Sequence, residues 1–583
     1  PDGRACEGGP SSRGWPMPED RLQVWGGIEC SHVRIGERIR DQIAESGHRE
    51  RAADLDLVAG LGLARLRHPV IWADVMARGR ADFRWHDRRF ARMRALGITP
   101  VAGLLHHGWG PDGLTPLDPA FAPAFAAFAG AVARRYPWVR DFTPINEPVT
   151  TARFSALYGL WHPHARDEAT FLCLTFGAVE ATVAAMRAIR RVTPAARLIQ
   201  TEDLGRVFAT PRLGPQAEYE NRRRFLGFDL LCGRVGQGHP FHAALVAAGI
   251  APARLSALEA APCPPDIIGI DHYLTSDRWL DDDLAAHPHH RAGGNGRVRY
   301  VDVAAAHIGH LAPQTGILPR LREVHARYRL PLAITENHNG CTREEQLRWL
   351  MEAWGAARTA RREGVEVVAV TSWALFGAID WNSLLCERTG FYESGAFDLR
   401  ATPPRLTAVG RAVAALARTG RFDHPVLDAP GWWRADGGEP REALFALDAP
   451  DAALFGAIGA ACALRRLDIR RAGRGGDEGR LGLIRAERAG GGLRLAHLRQ
   501  GAERLVAEAA PRDEAAQETA IHAFLDLVID RATGRFRLSR LAPAGQYRIA
   551  PLTGGPAVAP VRAAAERRSA RTGPAHPPAP RPE

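Results

Sequence analysis

Lysine is absent: all 76 basic residues of the 583-residue chain are arginines. They accompany heavy use of alanine, glycine and proline, the mark of GC-rich coding. They are also spread along helical stretches rather than interleaved with aromatics in one patch. The net charge of +11 therefore does not point to a nucleic-acid partner. Cysteine is scarce and scattered. The eight thiols, at Cys6, Cys30, Cys173, Cys232, Cys263, Cys341, Cys386 and Cys462, include no C-x-x-C and no close pair. That excludes a zinc site and a disulfide framework, and a reducing cytoplasm is the simplest compartment. Also missing are an apolar run of the ~20 residues that cross a bilayer and an apolar signal-like stretch at the start, so no membrane partner is expected. The first residue is Pro1 and not methionine, so a longer native N-terminus is expected.

What is present is a globular composition, 46% apolar and 24% charged, at a length suited to one large barrel and a smaller module. From Leu22 the chain alternates short apolar runs with amphipathic stretches. Strands are expected at 24–29, 63–70, 99–106, 141–147, 197–203, 266–273, 331–337 and 366–375. Helices are expected at 49–60, 85–96, 120–135, 168–192 and 343–363, the last with apolar residues at three- and four-residue spacing. Eight such alternations predict an α/β chain built on a (β/α)8 TIM barrel over 22–425, with a doubly wound open sheet as the alternative. Residues 1–21 and 560–583 are expected to be disordered. Residues 426–440 read as a linker, and 441–559 as a small α/β module. In that module, strands at 442–448 and 468–471 flank a helix at 451–467. The Gly/Arg-rich segment 472–492 reads as loop, 522–529 as helix and 535–541 as strand.

The chemistry gathers at strand ends. Thr143-Pro-Ile-Asn-Glu-Pro148 closes one strand with a carboxamide and a carboxylate, and Pro148 stops the ladder. Pro331-Leu-Ala-Ile-Thr-Glu-Asn337 closes another with Glu336. In a barrel these ends converge with Glu29, Arg67, His106, Tyr273 and Trp373. Two convergent carboxyls are the minimum equipment for splitting a glycosidic bond. Glu147 suits the proton donor, held protonated by apolar neighbours, while Asn146 reaches the sugar hydroxyl beside the anomeric carbon. Glu336 suits the nucleophile if a cation keeps it ionised; Arg67 is the candidate, with Tyr273 adding a hydrogen bond. The small-molecule partner would be a carbohydrate. Neither a metal nor a cofactor is expected, and the histidines at 162, 164 and 287–290 read as solvated loop residues.

Over roughly residues 22–420 these motifs resemble glycoside hydrolase family 1, the β-glucosidase family. That family's Thr-Phe-Asn-Glu-Pro is similar to 143–148, and its Thr-Glu-Asn-Gly to Thr335-Glu-Asn-His338. Its Arg-Phe-Ser-x-x-Trp resembles Arg67-His-Pro-Val-Ile-Trp72, and its Gly-x-Asn-Tyr-Tyr-x-Ser resembles the run from Gly269 to Ser276. Its late Trp-Ser-Leu-x-Asp-Asn-Phe-Glu-Trp resembles the run from Trp373 to Trp381. The resemblance implies an acid/base at Glu147, a nucleophile at Glu336, and a sugar floor that includes Trp373, Asp380 and Trp381. Departures cluster in the sugar-reading shell. The family's glutamine falls on Val33 unless Glu29 replaces it, and its His-Trp appears as His106-His107. A glutamate is shortened to Asp380, an asparagine has become Asp271, and His338-Asn339 delays a glycine. A retaining β-glycosidase with an altered substrate is the resulting expectation.

The overall plan also resembles bacterial chains that join such a barrel to a C-terminal dTDP-4-dehydrorhamnose reductase module. The resemblance lies in Gly431-Trp-Trp-Arg434 and in the stretch 522–538. Here the module is short, a degenerate Rossmann-like unit. Where a glycine-rich phosphate turn belongs, the chain has Leu447-Asp-Ala-Pro-Asp-Ala-Ala453, and without lysine no Tyr-x-x-x-Lys exists. A sugar-nucleotide oxidoreductase and a non-hydrolytic sugar-binding barrel are the rival expectations.

Overall fold

The computed structural model describes residues 22–530 except 64, 78, 288–291, 341, 435–443, 465–467, 474–477, 480–481, 490–491 and 512–513. Eight parallel strands close into a barrel: β1 Gln23–Gly27, β2 Arg65–Pro69, β3 Thr99–His106, β4 Asp141–Asn146, β5 Arg197–Asp203, β6 Ile267–Asp271, β7 Leu332–Glu336 and β8 Val367–Ser372. All eight lie on the expected segments. Gln23 of β1 registers with Ala369 of β8, and Trp25 with Arg65 of β2, so the sheet has no edge and the open-sheet alternative falls.

The strands are short and mostly buried because both faces are covered. Every residue of β4, β6 and β7 is buried. The inner layer is Trp25, Val101, Ile199, Ile267, Ala333 and Ala369, side chains from six different strands. Around the barrel run α1 Asp54–Gly60, α2 Arg84–Ala95, α3 Phe121–Arg135, α4 Glu168–Val192, α5 Pro252–Ala260, α6 Ile317–Tyr328, α7 Arg343–Arg362 and α8 Ala408–Thr419. Helix α4 starts on Asp167, whose carboxylate accepts the Thr170 amide at 2.7 Å. It is long and apolar enough to cross a membrane, but its apolar residues are buried in the barrel wall, packed on α3. Helix α8 ends on Gly420 at φ 70, the left-handed cap that glycine takes without steric cost.

The barrel's N-terminal end is tied by charge. Asp141, which opens β4, is 1% exposed and accepts from Arg65 of β2 at 3.2 Å and from Arg197 of β5 at 2.8 Å.

Beyond the barrel lies a five-stranded sheet in the order β10-β9-β11-β12-β13: β9 Leu444–Asp448, β10 Asp468–Arg471, β11 Leu483–Ala489, β12 Gly492–Arg499 and β13 Ala502–Ala509. β9 runs parallel to β10 and β11, with α9 Ala452–Leu464 between β9 and β10, as expected of the βαβ start. Residues 472–492 are not simply loop, however. They contain β11, whose Leu483, Ile484 and Ala486 are buried, while Arg485 and Arg488 pair with Asp448 and Asp451. Paired arginines let a charge-rich segment serve as a strand. β11 to β13 form an antiparallel meander, so only part of the sheet is Rossmann-like. Helix α10, Glu514–Asp530, is longer than the expected 522–529 and packs on both α9 and the barrel helix α7. The strand expected at 535–541 and both terminal segments lie outside the described residues.

Removing Asp141 takes from Arg65 and Arg197 the buried carboxylate that they share, a loss of about 3–5 kcal/mol. Asp141→Ala should lower the midpoint of urea unfolding by that equivalent. Ligand binding at the opposite end of the barrel should change little, as calorimetry on the folded variant would show.

Candidate active site

The two carboxyl-bearing strand ends meet. Glu147 follows β4 with φ 43 and ψ 63, a left-handed conformation that costs a non-glycine residue energy and turns the chain out of the strand. Pro148 then opens a short helix at the position where a missing amide does no harm. Two of that helix's free amides, Val149 and Thr150, donate to the Glu202 carboxylate of β5 at 2.8 and 3.0 Å. Asn-Glu-Pro is thus a strand stop, a strained carboxyl and a helix start in consecutive residues.

Glu336 ends β7 and is 2% exposed. Arg67 Nη1 donates to its Oε1 at 2.8 Å and to the Thr335 carbonyl at 2.8 Å. Tyr273 O–H donates to Oε2 at 2.5 Å. Arg67 Nη2 donates to Asn146 Oδ1 at 2.7 Å, and that oxygen also accepts from Thr201 Oγ1 at 2.7 Å. The Asn146 amide nitrogen is thereby turned toward His106 Nε2, 3.4 Å away. His106 stacks on Trp373 at 5.3 Å, and the Arg67 guanidinium lies 4.6 Å from the Trp373 ring. Gly27 makes room for that floor, since a Cβ there would stand 2.2 Å from the indole.

Five acids are buried here: Glu29, Glu147, Glu202, Asp271 and Glu336. Burial pushes the Glu147 carboxyl well above the usual range, and Asp271, Glu336 and Glu202 add repulsion. Glu336 is also raised by burial and by Asp271, but Arg67 and Tyr273 favour its charged form. The two differ in donors, so a proton settles on Glu147 before Glu336. Tyr273 keeps its own proton because burial and the Glu336 charge raise its pKa well above 10. His106 and His107 are held neutral by burial. One oxygen from each of Glu147, Asp271 and Glu336 lies within 4.8 Å of the others, a spacing that a metal ion could also bridge.

Glu29 stands past the end of β1. Its Oε1 accepts from the Ser31 amide at 2.9 Å and the Ser31 hydroxyl at 2.5 Å, and Trp381 and Glu336 are among the groups that act on it. Trp381 packs against His107 at 5.3 Å. Asp380 is the expected site residue that the structure assigns elsewhere. Its Oδ1 accepts from the Thr389 hydroxyl and the Phe391 amide, and its Oδ2 from Arg40, so the carboxylate holds its own loop in place. His287 bonds Asp281 at 2.9 Å, and 288–290 lie outside the described residues.

Sequence reasoning passed over Glu202, and it noted His107 and Asp271 only as departures. His107, at φ 52, sets Nε2 3.5 Å from Glu147 and Nδ1 3.2 Å from the Thr151 hydroxyl. The His-His doublet at a strand end was its one signal.

No family model and no curated protein matches the chain. Solved structures do. A Thermotoga maritima β-glucosidase in complex with deoxynojirimycin superposes with a TM-score of 0.56 at 16% identity, over 70% of this chain and 99% of its own. A family 1 β-glucosidase from the same organism gives 0.55 at 16%, and its azafagomine complex 0.55 at 15%, with the same coverage. At that identity the likeness establishes the fold, a glycosidase-like barrel.

Burial holds Glu29 at a pKa of about 7, above its ordinary 4.5. Between those values the folded state keeps a proton that the unfolded state releases, so stability falls as pH rises through the window. In Glu29→Gln this fall should be shallower, measured by urea unfolding at a series of pH values.

Proposed function

We propose that the chain is a retaining β-glycosidase related to glycoside hydrolase family 1. The observation that carries the reading is the separation of its two strand-end carboxyls, with oxygens of Glu147 and Glu336 within 4.8 Å of each other. Retaining enzymes place their pair about 5–5.5 Å apart, whereas inverting enzymes need about 6.5–9.5 Å to seat a water. The chemical asymmetry fits as well. Glu336 has two donors and suits the nucleophile, and Glu147 is kept protonated and suits the acid.

Glu147 gives its proton to the glycosidic oxygen as Glu336 attacks the anomeric carbon and the leaving group departs. Water then attacks the glycosyl-enzyme, with Glu147 taking a proton from it. Arg67 and Tyr273 hold Glu336 in place, Asn146 and His106 face the sugar hydroxyls, and Trp373 is the stacking floor. Glu29 takes the place of a sugar-reading amide, and with His107 it implies a substrate differing from the glucosides of the structural relatives. The free thiols among the described residues suit a reducing cytoplasm.

The oxidoreductase reading has less support. At the start of α9, where a dinucleotide's pyrophosphate would bind, Asp451 Oδ1 already accepts from the Ala453 and Leu454 amides at 2.8 and 3.1 Å.

The test is hydrolysis of a panel of activated aryl β-glycosides. Glu336→Gly should abolish turnover, and azide should restore it with a glycosyl azide of inverted configuration. Glu147→Ala should lose roughly 10²–10⁴-fold on substrates with poor leaving groups and far less on activated ones. Sugar binding by a folded protein without turnover on any glycoside would replace this reading with the binding-barrel one.

A further inference from the structure

Asp271 has no task in the reading above. It closes β6 and is fully buried, and its Oδ1 accepts from the Thr335 hydroxyl at 2.6 Å. Among the described residues no N–H or O–H donor reaches its Oδ2. One oxygen of the Glu147 carboxyl lies within 4.8 Å of an Asp271 carboxyl oxygen. Two carboxyls this near each other and away from water are held together only when one of them carries a proton, and two carboxylates there repel.

The other groups around Glu147 do not change that balance. Glu336 on β7 and Glu202 and Asp203 on β5 add negative charge. His107, past the end of β3, is neutral. Arg67, from β2, is engaged by Glu336, Asn146 and the Thr335 carbonyl.

We propose, resting on the glycosidase reading, that Asp271 is a positioning residue that shares one proton with Glu147. The sharing keeps Glu147 an acid for the first step and makes it a stronger base for the second. In the first step the proton passes from Glu147 to the glycosidic oxygen, the C–O bond breaks, and Glu336 bonds the anomeric carbon. Glu147 and Asp271 are then both anionic and repel each other. In the second step water gives one proton to Glu147, its oxygen bonds the anomeric carbon, and the bond to Glu336 breaks. The proton-sharing pair is restored.

Asp271→Asn preserves size and the oxygen that Thr335 binds, and it removes the charge. The first readout needs no substrate: the infrared band of protonated carboxyls in the full-length protein, titrated upward through neutrality, in wild type, Asp271→Asn and Glu147→Gln. Wild type should keep a protonated carboxyl past neutral pH. The Glu147→Gln variant should lose one protonated carboxyl from that band, while the other buried acids, Glu29 among them, still contribute to it. In Asp271→Asn the carboxyl lost in Glu147→Gln should titrate lower by about one pH unit or more. The second readout is kinetic. In Asp271→Asn the basic limb of kcat/KM should move to lower pH by the same amount, with kcat falling more than kcat/KM as the glycosyl-enzyme is hydrolysed more slowly. If wild type and Asp271→Asn titrate alike, proton sharing is overturned. If the band shifts as stated while wild type cleaves no glycoside, the sharing stands and the glycosidase reading fails.

Discussion

The Arg67 guanidinium is the cation around which five buried acids are arranged. It reaches a carboxylate, a carboxamide and a backbone carbonyl at once, and its flat face lies over an indole. Lysine, a point charge on a flexible stem, could not meet these partners in one plane. Taking so many carboxyls out of water costs several kcal/mol for each that stays charged and unpaired. Arg67 cannot match them all: Glu202 draws instead on two backbone amides and on Arg153, and Glu147 is held toward its protonated form. The unequal supply of donors sets two carboxyls apart within one small volume: Arg67 and Tyr273 favour the charged form of Glu336, while burial and neighbouring acids favour the neutral form of Glu147.

The backbone supports the same division. The proline after Glu147 ends the strand, the left-handed turn aims the acid, and Glu202 satisfies the amides exposed by the new helix. Gly27 lets the Trp373 ring lie against β1. Strain and close approach are concentrated at the C-terminal lip of the barrel, while the N-terminal end is held by ordinary paired charge at Asp141.

Most of the architecture was legible in the sequence because buried parallel strands leave short, largely apolar runs, and six of the eight end in a polar residue: His106, Asn146, Asp203, Asp271, Glu336 and Ser372. Glu147, Glu336, Arg67 and Tyr273 could be placed together from that pattern alone. Asp380 misled because its spacing matched a sugar-binding motif, yet its oxygens are taken by Arg40, Thr389 and Phe391, contacts made across long loops that no local pattern displays. Glu202 was missed for another reason: it is one of four consecutive polar residues, Gln200 to Asp203, at the end of β5, and nothing nearby in sequence shows that it faces the amides after Pro148. In the module, Gly/Arg composition hid β11, whose arginines are matched by the distant Asp448, Asp451 and Gln517.

Among the described residues the sheet of that module ends at β13, where Glu503, Arg504, Val506 and Glu508 are exposed and Leu505, Ala507 and Ala509 are half-buried. A strand from another molecule that added itself to this border would have to lie beside alternating charges and desolvate them. Native proteins blunt open sheet borders in this way to suppress cross-molecule pairing. The barrel avoids the problem by closing on itself; the described sheet of the module is left open at β13 and carries charge there instead.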